Sequence, residues 1–235
     1  MTTGNLFRVQ LSDFFSNKRL IILRIGISLL LSLPFILVNM PARVQAGGIT
    51  MVIIFTSFFS AAVNYARLDS DSRLERLMLL PTSQWIIWLD LIFSSAISRL
   101  VPALVILSCF IAANGQGLTL SLLISITGIL LACLILLILL GMAAGRLARN
   151  NGEVHLYGAI ICIFLAIISG VTPMTERLKP LGQFIVWNPL ARLLKILTDL
   201  ANDSVVTIRN ELIFTSVLLI IFLSITVQRL LSDND

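Results

Sequence analysis

Asp69, Asp71 and Glu75 are the acidic residues of this sequence that a metal-dependent lipid-head-group enzyme would need to recruit. Their spacing suits the start of a short helix instead. Ser72 followed by Glu75 is a capping-box pair, in which the hydroxyl takes an orphan backbone N–H and the carboxylate reaches back toward the cap. Asp69 and Arg73 stand acid before base at i, i+4, Leu74, Leu77 and Met78 share one face, and Pro81 stops the helix after about two turns. Other chemistry is missing for similar reasons. The sequence has no His-Glu-x-x-His, no clustered cysteines and no Gly-x-Ser-x-Gly; Ser169 has no base in view, and the lone His155 reads as a surface residue of a short inner loop. Cys109, Cys133 and Cys162 fall inside apolar runs and form neither a disulfide framework nor a metal site. Gly141 and Gly145 are followed by Arg146-Leu147 rather than Lys-Ser/Thr, so they make no phosphate loop; as Gly-x-x-x-Gly beside Ala143 and Ala144 they predict close span packing. Arg99 stands about two to three turns deep in an apolar run, where a charge must snorkel, pair with another helix or face a watery cavity on a substrate path.

These residues are set in a chain of 235 residues that is 57% apolar and only 12% charged, against about a quarter charged in soluble domains. Twenty residues at about 1.5 Å each cross a hydrocarbon core of about 30 Å. The apolar runs predict an all-α integral membrane protein with six transmembrane helices near 20–39, 49–65, 89–112, 118–145, 157–172 and 211–230. The fifth, about sixteen residues before Pro173, is short for a full crossing and invites a broken or re-entrant continuation. Ahead of the first, Phe7, Leu11, Phe14 and Phe15 recur at helical spacing and predict an interfacial amphipathic helix within 1–19. Arg24, just inside the first span, can snorkel to the headgroups. Trp85 and Trp88 are expected at the boundary between headgroups and tails, where they fix the depth of the third span.

The net charge of +5 is scattered among loops without a basic-aromatic groove, which argues for membrane topology and against nucleic acid. Arg8, Lys18, Arg19 and Arg24 flank the first span, Arg67, Arg73 and Arg76 follow the second, and Arg146 and Arg149 follow the fourth. That alternation predicts a multi-pass inner-membrane protein with both termini cytoplasmic, although 173–210 carries five basic residues on the outer side. Val44-Gln-Ala46 resembles a signal-peptidase site, but the apolar run before it is too extended, so an uncleaved first span is expected. In the outer segment, Ser169-Gly170-Val-Thr-Pro173 breaks the chain. Asn188 as N-cap and Pro189 at the first helical position then open an amphipathic helix with Leu190, Leu193, Leu194 and Leu197 along one face, expected beside or partly within the outer leaflet.

Two blocks together resemble the permease subunits of exporter-type ABC transporters with six spans per subunit. One is Asp71 through Pro81 with Thr82-Ser83, similar to that family's inner loop between spans two and three. The other is Ser169-Gly170, Pro173, Leu178-Lys-Pro-Leu and Asn188-Pro-Leu190 with Arg192, similar to its re-entrant outer segment between spans five and six. The resemblance implies a permease domain over 20–235, with a cytoplasmic coupling helix at 70–81 and a re-entrant segment at 173–210. It further implies that Arg73, Leu74, Glu75, Arg76, Leu77 and Met78 couple to a separate ABC ATPase subunit, which would bind ATP and Mg while this chain holds no cofactor. A second permease subunit, the same chain or another, would complete the substrate path. Leu-Glu-x-Leu-Met-Leu-Leu-Pro also resembles the B subunit of the haem exporter of cytochrome c maturation, whereas Asn188-Pro189 fits the broader exporter permeases. A membrane scaffold that recruits a soluble partner through the same helix is the reading without transport.

Overall fold

The computed structural model describes residues 5–70, 72–80, 82–114, 120–148, 150–171 and 188–202, which are mostly helical and include no strand. In chain order the helices are α1 (Asn5–Ser16), α2 (Lys18–Leu37), α3 (Ala42–Ile54), α4 (Ser60–Ser70), α5 (Arg73–Met78), α6 (Gln84–Ala113), α7 (Leu120–Leu147), α8 (Asn151–Ile168) and α9 (Pro189–Ala201). A π-helical turn, Phe55–Phe59, joins α3 to α4. Among the described residues, four stretches are long and apolar enough to cross a membrane: Lys18–Leu37, the continuous Ala42–Ser70, Gln84–Ala113 and Ile126–Leu147. The architecture is therefore that expected of a multi-pass membrane protein. The expected sixth span, 211–230, Pro173 and most of the outer segment lie outside the described residues.

The second span is longer than its apolar run suggests, 29 residues from Ala42 to Ser70. Its last turns carry Arg67 and Asp69, so the helix outruns its apolar part by about a turn and enters polar surroundings. α8 starts at Asn151, before the apolar run, because Asn150 caps it. The Asn150 Oδ1 accepts the Glu153 N–H at 2.8 Å while its Nδ2 donates to Glu153 Oε1 at 3.2 Å. His155 is thereby on an exposed helical face rather than in a loop, with its ring 5.2 Å from that of Phe59.

α2 is built inside out. Its buried residues are Ser28 and Ser32, while Ile22, Leu30 and Leu37 are largely exposed. Lipid tails are as apolar as leucine, so such a helix gains nothing by turning its aliphatic side inward. The interior belongs to α3, the π turn, α6 and α7, where Ile49, Ile53, Phe58, Ile106, Phe110, Leu134 and Leu137 are fully or almost fully buried. The glycines of α7 set how closely the second span approaches. A Cβ on Gly141 would stand 2.6 Å from the Phe58 carbonyl oxygen, and one on Gly145 2.6 Å from that of Ala62.

At the other end of the second span, α9 lies against α3 and α7. Leu190, Leu193, Leu194, Ile196, Leu197 and Leu200 are all buried, so its apolar stripe packs on protein rather than on the leaflet. Gly170, at φ 79°, ends α8 in the left-handed region, and its N–H donates to the Ile167 carbonyl. Asn188 then bridges the two helices. Its Oδ1 caps the Leu190 N–H at 3.0 Å, and its Nδ2 donates to the Ile168 carbonyl at 3.0 Å. Asn188→Ala removes both bonds and is expected to cost about 2 kcal/mol, read as a lowered melting temperature in detergent micelles. Asn188→Asp keeps the cap acceptor and loses the donor, and should fall between the two.

Candidate functional site

A cavity of about 300 Å3 opens between α2, the π turn and α6. Its polar lining comes from three segments: Arg24 and Ser28 of α2, Thr56, Ser57 and Ser60 of the second span, and Ser98 and Arg99 of α6. The middle segment departs from α-helical geometry. The Thr56 Oγ1 donates to the Val52 carbonyl at 2.7 Å and lies 3.4 Å from that of Ile53, competing for acceptors that the helical ladder uses. The ladder widens to π spacing at Phe55–Phe59, and the rings of Phe55 and Phe59 stack with centroids 5.3 Å apart. Such π turns inside α-helices often mark functional positions. Here the turn is clamped on one side by Gly141 of α7 and lines the cavity on the other.

Arg99 is 5% exposed. Its Nη1 donates to the Ser95 carbonyl at 2.8 Å and its Nη2 to Ser60 Oγ at 3.2 Å, while Nε has no hydrogen-bond partner. Arg24 reaches the same cavity from α2, with its guanidinium 5.3 Å above the Phe14 ring. Neither arginine is paired with a carboxylate among the described residues, although burying one unpaired ion costs several kcal/mol. The cavity therefore carries two guanidinium groups and several hydroxyls inside an apolar bundle.

The second candidate region is α5. Ser72 lies in the left-handed region, φ 52° and ψ 22°, and its side chain makes no capping bond, so the expected Ser72–Glu75 capping box is absent. An N-cap needs extended backbone, and the chain has only two residues between α4 and α5 in which to turn. The Ser72 N–H instead donates to the Asp69 carbonyl at 3.0 Å. The faces of α5 divide cleanly. Leu74, Leu77 and Met78 are half-buried against Tyr65, Ile87, Trp88 and Leu91, whereas Arg73, Glu75 and Arg76 are exposed. Trp88, expected at the headgroups, is buried here with its ring stacked on Tyr65 at 6.0 Å.

The structure thus places the sequence-derived residues in separate regions: Arg73–Met78 at one end of the second span, Gly141 and Gly145 along it, and Gly170, Asn188 and Pro189 toward its start. Arg99 alone reaches the cavity. Sequence reasoning gave Arg24 only a snorkelling role and did not anticipate Ser60 or the π turn. The available signal was the alignment of two hydroxyl-rich patches, Thr56–Ser60 and Ser94–Ser98, within otherwise apolar spans. Among the described residues no group of three or more His, Cys, Asp or Glu could hold a metal ion. Cys109, Cys133 and Cys162 are free thiols. Comparison with known proteins finds no matching family model, no matching curated protein and no matching solved structure.

Proposed function

We propose that this chain is the membrane-embedded permease subunit of an ATP-driven exporter of the six-span ABC type, with α5 as the coupling helix. The observation that carries the reading is the division of α5: an apolar face held by its own chain and a charged face, Arg73, Glu75 and Arg76, left exposed. A six-residue helix is too short to persist in water by itself. Mounted on α4 and α6, it can pass a push from a soluble partner directly into two long helices. On this reading the partner ATPase binds ATP and Mg and supplies the energy, and this chain carries no catalytic residue. The remaining elements follow from the same proposal: an inner-membrane location with both termini cytoplasmic, a sixth span at 211–230, a re-entrant outer segment at 173–210 and a second permease subunit.

The test is co-purification of the full chain with an ATPase subunit from its own cell. Glu75→Lys reverses the only acidic charge on the exposed face and is expected to weaken that association about tenfold, or to abolish transport-coupled ATP hydrolysis. A Glu75→Lys protein that binds the ATPase and supports transport at the native level removes the docking role.

A further inference from the structure

We propose that the cavity between α2, the π turn and α6 binds the anionic head of an amphiphile, a phosphate- or carboxylate-bearing lipid that enters from the apolar side of the bundle. The head-group contacts come from both arginines. Arg99 is fixed by Ser60 and by the Ser95 carbonyl, each of its Nη atoms carries a second N–H, and Arg24 lines the same space from a separate helix. No carboxylate among the described residues pairs with either. Two like charges in a medium of low dielectric repel, and one oxyanion between them relieves both at once. A guanidinium suits such a ligand because its N–H groups match two oxygens of one phosphate or carboxylate.

The walls of the cavity favour a ligand with an apolar tail. Ile27 and Phe55 line the cavity and are 50% and 44% exposed, on the side where α2 presents its aliphatic residues outward. A ligand that reaches the arginines by this route crosses apolar surface, which favours a chain-bearing anion over a small hydrated one. A volume of about 300 Å3 accommodates a head group while the chain lies along the α2 face. This site is independent of docking at α5, and its test needs no ATPase.

The full chain, purified in a nonionic detergent, is titrated with phosphatidic acid and with phosphatidylcholine of the same acyl chains, and bound lipid is counted by native mass spectrometry. Phosphatidic acid is expected to bind at least about tenfold more tightly, since a charge-assisted pair of hydrogen bonds is worth about that factor or more. Arg99→Gln and Arg24→Gln should each remove about tenfold of that preference and leave phosphatidylcholine unchanged. Arg24→Gln, at a half-exposed position, keeps the test valid if Arg99→Gln does not fold. Arg19→Gln, at the exposed start of α2, should have no effect. Equal binding of the two lipids, native binding by Arg24→Gln, or an equal loss in Arg19→Gln overturns the site. Displacement of phosphatidic acid by inorganic phosphate overturns the lipid assignment in favour of a free anion.

Discussion

Gly141→Leu is expected to leave almost no folded protein, and Gly141→Ala to lower the melting temperature by several degrees. A Cβ at this position would stand 2.6 Å from the Phe58 carbonyl oxygen, 2.7 Å from the Ala61 Cβ and 3.1 Å from the Ala62 amide nitrogen. Two of these three atoms are backbone, so no rotamer change relieves the contact and the whole second span must retreat. Overpacking of this kind costs about 1–3 kcal/mol for a methyl group and more for an isobutyl, against a total stability of roughly 5–15 kcal/mol. In a chain of this size about 2–4 °C of melting temperature is lost per kcal/mol. Gly128 offers the control, because a Cβ there meets nothing within 4 Å, and Gly128→Ala should melt like the native protein. Scanning calorimetry in detergent micelles checks the pair, and identical melts for Gly141→Ala and Gly128→Ala would show that the helices do not approach as closely as described. Phe58 belongs to the π turn, so Gly141→Ala should also weaken whatever the cavity binds.

That link between α7 and the cavity illustrates what a linear reading can and cannot reach. Apolar runs of about twenty residues fix the existence of spans because the hydrocarbon thickness does, and among the described residues four of the expected spans are helices long enough to cross. Asn188-Pro189 was legible because a cap and a first-turn proline act within four residues of sequence. The Gly141–Gly145 spacing announced a close approach but not its partner, which lies about eighty residues earlier in the chain. Ser72 and Glu75 have capping-box spacing, as a side-chain bond would require, yet the sharp turn out of α4 overrides it; the reciprocal side-chain pair formed instead at Asn150 and Glu153. The π turn left no periodic signature. Arg99 was visible as an anomaly of charge, but Ser60, thirty-nine residues away, gives it a fixed orientation that no local pattern contains.

The expectation for α5 can be pressed further with Leu77→Asp. A half-buried leucine against Tyr65 and Trp88 contributes roughly 1–2 kcal/mol by the apolar area it removes from water, and an aspartate there adds a desolvation cost. A helix of six residues has no reserve with which to absorb that loss. Its opening equilibrium should therefore rise about tenfold or more, because each 1.4 kcal/mol is a factor of ten. Arg73 and Arg76 are exposed on this helix, so limited trypsin digestion reads the opening directly, with cleavage accelerating by the same factor. The long helices bury their own contacts, and the global melt should shift little. Glu75→Gln removes the charge without touching the anchoring face or adding a trypsin site, so it should keep the native resistance to trypsin while losing the proposed ATPase. If both variants lose the ATPase and only Leu77→Asp becomes protease-sensitive, the two faces of α5 have separate duties: one fixes the helix to the bundle, the other meets the partner. Native cleavage rates in Leu77→Asp would mean that something other than its apolar face holds the helix, and the path proposed for force from α5 into α4 and α6 would have to be abandoned.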